Sequence, residues 1–142
     1  MKGPVRSLEV TYLLHATEDP ERVSSAVAEM IAAGAPAQVD DLRGHYGNSI
    51  SRVRIHLTGD DAQIAFDRIK SRLGGEQKTE LLGNLGRYLD EHGALFLRFD
   101  KQGLVRGKLS LESGDPVRVK VKPRPFLLGH DVAGFYANLL GK

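Results

Sequence analysis

From Val117 to Lys122 the chain alternates without exception between a valine and a cation, with Val117, Val119 and Val121 set against Arg118, Lys120 and Lys122. A period of two sends successive side chains to opposite sides of an extended backbone. Such a segment is a strand with one face in an apolar core and the other in water. The pattern recurs earlier. Ile50, Val53, Ile55 and Leu57 are apolar, and Arg52, Arg54 and His56 stand between the last three. Two strands of this kind call for a sheet covered on one side, and both leave positive charge on the uncovered side.

The covering layer is legible as helices. Thr17-Glu18-Asp19-Pro20-Glu21 is a helix start, with Asp19 able to cap and Pro20 suited to the first helical position. Val23, Ala26, Val27, Met30 and Ile31 follow at helical spacing, and Gly34 and Pro36 end the helix. Gly59-Asp60-Asp61 opens a second helix with Asp60 as its expected cap and Ala62, Ala65, Phe66, Ile69 and Leu73 on one stripe. A third is expected from about Glu76 to Glu91, although Gly83 and Gly86 each weaken it by about 1 kcal/mol relative to alanine. A last helix spans Gly129 to Leu140. The remaining strands are Leu8–His15, Ala37–Leu42 with Val39 and Leu42 as anchors, Ala94–Phe99, and a strand-like piece at Leu109 and Leu111 after a turn at Asp100–Gly103. Short turns join the strands in antiparallel-looking pairs. The expectation is a single α+β domain over residues 1–142, mainly an antiparallel sheet with helices packed on one face.

Composition narrows the function classes. The chain has 142 residues, no cysteine and no tryptophan. A disulfide scaffold, a thiol nucleophile and a zinc site built on thiolates are excluded. No apolar run reaches the roughly 18 residues of a membrane helix, and the N-terminal residues have no signal-peptide core, so a cytoplasmic protein without a membrane partner is expected. Residues 1–100 hold 12 Lys/Arg and 15 Asp/Glu, whereas residues 101–142 hold 8 and 3. That asymmetry hints at a polyanionic partner.

Three groups of residues are candidates for contact with such a partner. The first is the pair of strand faces, Arg52 and Arg54 with Arg118, Lys120 and Lys122, whose cations repeat about every 7 Å along a strand. RNA phosphates suit such a row, because binding displaces condensed counterions and arginine offers two donors to one phosphate. The plainer explanation is solubility or protection of an edge strand. The second group is the turn at residues 43–48. Arg43, His45, Tyr46 and Asn48 are types that stack on or hydrogen-bond to unpaired bases, and Gly44 and Gly47 provide the backbone freedom. A structural turn, with Asn48 capping and Tyr46 packed inward, explains them equally well. Lys101, Arg106 and Lys108, beside Gln102, could extend the basic surface, although loop charge is common for solubility alone.

Enzyme signatures are missing. There is no phosphate-binding Walker loop, GxSxG or HExxH. Asp40-Asp41 would point to opposite faces of a strand, and Asp60-Asp61 is accounted for by a helix start. His15 is read as an orienting hydrogen-bond partner. No catalytic residue, metal or cofactor is assigned.

Four segments in this order, LHATEDPERV (Leu14–Val23), DDLRGHYGNSI (Asp40–Ile50), LRFDKQ (Leu97–Gln102) and DPVRVKVK (Asp115–Lys122), resemble the small archaeal RNA-binding proteins known as predicted exosome subunits. The resemblance runs from about Leu8 to Lys122. It implies a fold similar to the ribosomal protein that binds 5S rRNA, an RNA partner, and a role beside the exosome or ribosomal components in RNA processing. Residues 126–142 lie outside it, so the C-terminal helix has no assigned role. The reading is a non-catalytic RNA-binding module. The alternatives are a protein-interaction scaffold for an acidic partner and a weak metal-free ribonuclease using His45 and His56. The oligomeric state is left open, a weak homodimer included.

Overall fold

Five extended segments, β1 (Val5–His15), β2 (Ala37–Arg43), β3 (Ser49–Thr58), β4 (Leu95–Asp100) and β5 (Pro116–Pro123), pair antiparallel in the order β2-β3-β1-β5-β4. The computed structural model describes residues 4–32, 36–43, 49–111, 114, 116–124 and 132–140. Register follows the alternation in the sequence. Val10 faces Ile55 on one side and Val119 on the other, and Leu97 faces Val119 in turn. All four are buried, as are Leu8, Val53, Leu57, Val117, Val121, Leu95 and Phe99 on the same side. Each such side chain contributes about 1.5–3 kcal/mol on leaving water. A one-residue slip would put the cations inside, so the register is strongly specified.

Helix α1 (Pro20–Met30) and helix α2 (Gly59–Arg72) cover this face with the stripes that the spacing predicts. Val23, Ala26, Val27 and Met30 of α1 are buried, and so are Ala62, Ala65, Phe66 and Ile69 of α2. The Tyr12 hydroxyl lies 3.2 Å from Ser24 Oγ, which fixes α1 to the core side of the central strand. Asp19 caps α1 as expected, accepting from the Glu21 N–H at 3.0 Å. The cap of α2 differs from expectation. Thr58 occupies that position without a side-chain bond, and Asp60 sits in the first turn, where its charge meets the positive end of the helix dipole.

The expected third helix is two. α3 (Gly75–Gly83) stops at Asn84, whose backbone leaves the helical region and whose amide bonds back to the Glu80 carbonyl, and α4 (Leu85–Tyr88) restarts beyond it. Gly83-Asn84 combines the helix interior's poorest common residue with one that prefers local side-chain bonds. The expected turn after β4 is a short helix, α5 (Lys101–Val105), capped by Asp100 through the Gly103 N–H at 3.1 Å. Leu109 and Leu111 form only single bridges, to Leu73 and Phe99, in place of a strand. The Leu111 bridge and a Leu89–Leu95 bridge cover the free edge of β4. α6 (Val132–Leu140) buries Tyr136 and Leu140, and the Tyr136 hydroxyl donates to the Gly93 carbonyl at 2.7 Å. Burial pushes that phenol's pKa up.

Two expectations about side chains fail. Val39 is the expected anchor of β2, yet it is 61% exposed on an edge strand of the sheet. Lys101 was expected on a charged loop, yet its side chain is only 2% exposed. Its ammonium donates to the Leu13 carbonyl at 2.6 Å and to Glu18 Oε1 at 3.0 Å, and Glu18 Oε1 also accepts from the His15 N–H at 2.9 Å. The pair ties α5 to the connection between β1 and α1.

Replacing Val119 by Asp places an unpaired charge between Val10 and Leu97, and the domain is expected to be unfolded by circular dichroism at 25 °C. Lys101→Ala leaves the Glu18 carboxylate in a mostly buried site without its cation. The expected loss is about 3 kcal/mol, read as a lower urea midpoint at unchanged slope.

Candidate nucleic-acid interface

The uncovered face carries every residue that alternates with the core. Thr11 in the central strand lies opposite Arg54 on one side and Arg118 on the other, and Arg118 lies opposite Arg98. Adjacent strands are about 4.8 Å apart, so Arg54, Arg118 and Arg98 form a line across the sheet at roughly 0, 10 and 15 Å. In the next row Glu9 lies between His56 and Lys120, and Lys120 lies opposite Phe96. Beyond it Ser7 lies between Thr58 and Lys122. Arg118 and His56 are exposed, and Arg52, Arg54, Lys120 and Lys122 are half-buried. The two basic alternations, widely separated in sequence, thus share one surface through β1.

That surface is not a bare row of cations. Asp40 of β2 lies opposite Arg52, and its Oδ2 accepts from both Arg52 and Arg54 at 3.2 Å each. These bonds, Arg54's first, hold the Asp40 carboxyl below the usual carboxylate range. Both arginines keep 40% of their side chains exposed, while their Nε atoms are buried without a hydrogen-bond partner. Glu9 similarly lies 3.7 Å from His56 Nδ1. The excess of positive charge therefore concentrates on β5 and β4.

The remaining candidates separate. Lys101 does not join this face, since its ammonium is enclosed by Leu13 and Glu18. Arg106 is exposed, but it lines a cavity with Glu21, Arg22 and Glu29 of α1, which places it on the helical layer. Lys108, also exposed, precedes Leu109 and its bridge to the end of α2, so it too stands apart from the strand cations. His45, Tyr46 and Asn48, and the side chain of Arg43, lie outside the described residues.

Strand pairing brings further residues to this face. Arg98 and Phe96 alternate with Leu95, Leu97 and Phe99, and that alternation was visible, but only strand order puts them beside Arg118 and Lys120. Lys120 Nζ sits 5.2 Å from the centroid of the Phe96 ring, a cation–π distance. Where β4 meets α3 and α4, a groove of about 570 Å³ is lined by Gln77, Glu80, Arg87, Tyr88, Leu89, Phe96, Arg98 and Leu111. At the opposite end of the face Arg6, Lys122, Arg124 and His56 surround a cavity of about 420 Å³. Arg124 continues the β5 alternation two residues beyond Lys122, with the buried Pro123 between them, whereas no alternating run marks Arg6.

An open sheet face with lined-up guanidinium and ammonium groups can bind a chain of phosphates, and its aromatic ring can stack on a base. Comparison with known proteins points to RNA as a partner class. A family model described as RNA binding matches residues 7–123. The chain is 29% identical to the RNA-binding protein PAB1135 of Pyrococcus abyssi over 87% of its own length and 86% of that protein's. Its structure superposes on protein AF2318 from Archaeglobus fulgidus with a TM-score of 0.79 and 30% identity, covering 95% of this chain and 99% of the other. It superposes on Mth689, a DUF54 protein from Methanothermobacter thermautotrophicus, with a TM-score of 0.78 and 25% identity, covering 99% and 100% of the two chains. A sheet face of this build and a family match over most of its length lead to one conclusion: the chain belongs to the RNA-binding family.

Proposed function

We propose that this chain is a non-catalytic RNA-binding module that holds phosphates on the open face of its sheet. The observation that carries the reading is the line Arg54, Arg118, Arg98 with Lys120 and Lys122 beside it, on a face that α1 and α2 leave uncovered. The family match and the name of the P. abyssi relative support it. Arg43, His45, Tyr46 and Asn48, in the segment between β2 and β3, would add base contacts on the strength of their residue types. A cytoplasmic role as an accessory to the exosome, or to ribosome-related RNA processing, and a kinship with the 5S-rRNA-binding fold, rest on the sequence resemblance alone.

Phosphate binding makes affinity salt-dependent, and it should fall steeply between about 50 and 200 mM salt. Changing Arg118, Lys120 and Lys122 together to Gln keeps the three buried valines and the strand. Stability is expected to move by about 0.5 kcal/mol or less per site, while the slope of log affinity against log salt falls by about two to three units. Unchanged RNA binding by the triple variant would show that β5 is not the contact face. RNA should stay intact on incubation with the protein, with or without divalent metal. Cleavage lost in His45→Ala would replace this reading by a nuclease.

Asp40→Asn frees Arg52 and Arg54 from their shared carboxylate and should tighten RNA binding several-fold at low salt, read by fluorescence anisotropy. Because the Asp40 carboxyl titrates lower when folded than when unfolded, its contribution to stability is complete above the ordinary carboxylate pKa. It is lost as pH falls through the lower native value. The variant should therefore lose stability less steeply than the parent below about pH 4.

A further inference from the structure

We infer that the groove at the β4 edge is a seat for one unpaired nucleobase, so that the protein prefers single-stranded RNA or unpaired nucleotides over duplex. The inference rests on the RNA-binding reading and deepens it. Phe96 is the starting point. It lies on the water-facing side of β4, half-buried, and it stands outside the set of apolar side chains packed on the core. A phenylalanine there adds nothing to the core, and its ring contact is the Lys120 ammonium. The groove extends from that ring over the covered edge of β4 to Tyr88, with Arg98 on the sheet side and Arg87 on the helix side. Its volume, about 570 Å³, falls in the range of small-ligand sites.

The groove also has a polar edge. Gln77 and Glu80 are three apart on α3 and so lie on one face of it. The Gln77 carbonyl oxygen is already taken by the Leu111 N–H at 2.9 Å, which turns its amide NH₂ into the available end. The groove therefore presents a neutral donor and a carboxylate acceptor, the two things that the edge of a base can meet and a phosphate cannot fully use. A run of phosphates alone would be served by cations; two aromatic rings, a donor and an acceptor between two arginines describe a base with its backbone alongside. In a duplex that edge is already paired and the ring faces are stacked, so the seat would go unused.

The test compares the full chain with a Tyr88→Leu, Phe96→Leu double variant, which keeps apolar bulk where Tyr88 packs on the core; equal melting temperatures establish that it folds. Binding is measured to a single-stranded RNA carrying 2-aminopurine and to a fully paired RNA duplex of equal length. The parent should bind the single strand more tightly and change the 2-aminopurine emission. The variant should lose about tenfold or more on the single strand and less than twofold on the duplex, with the emission change abolished. Equal losses on both RNAs, no loss on either, or a parent that favours duplex would overturn the base seat while leaving phosphate binding intact. A parent that binds neither RNA at low salt would overturn both readings.

Discussion

Everything in this fold depends on the double pairing of β1. It is the middle strand, hydrogen-bonded to β3 on one side and β5 on the other, so its eleven residues set the register of both halves of the sheet. Leu8, Val10, Tyr12 and Leu14 put one side of that strand into the core. Ser7, Glu9, Thr11 and Leu13 line the other side, where Glu9 separates His56 from Lys120 and Thr11 separates Arg54 from Arg118. One alternation therefore decides both the core and the surface. A hydrophobic face alone would only specify folding, but a period of two ties each buried side chain to an exposed neighbour.

The two faces answer to different physics. The helical side is governed by apolar burial, with a charged exception at Lys101 and Glu18 among the described residues. That pair is retained beside carbonyl and amide groups of the β1 end, where the ammonium and carboxylate each find more than one partner. Burying it costs desolvation, so its value lies in locating α5 against the β1–α1 connection more than in raw stability. The open side is governed by charge in water. There Asp40 moderates Arg52 and Arg54, and Glu9 sits near His56, which shifts the unmatched positive charge toward β5 and β4.

Much of this was legible one element at a time. The Asp19-Pro20 start of α1, the stripe Ala62, Ala65, Phe66, Ile69 in α2 and the valines of β5 are local patterns whose meaning depends only on backbone periodicity, and the structure has each of them where the spacing puts it. The break at Asn84 and the single turn of α5 were less legible, because marginal helices are decided by caps and packing worth about 1 kcal/mol.

By itself the sequence determined an α+β chain with two half-basic strands, since alternation and helical stripes are properties of the covalent chain. It could not say which strands are neighbours, and that is where the surface was decided. Strand order brought Arg118 beside Arg98, placed Phe96 under Lys120 and set Asp40 against Arg52 and Arg54. It also left Val39 on an uncovered edge and enclosed Lys101. Charges and rings act across space, over a few ångströms between strands far apart in the chain, and only the tertiary fold sets those distances.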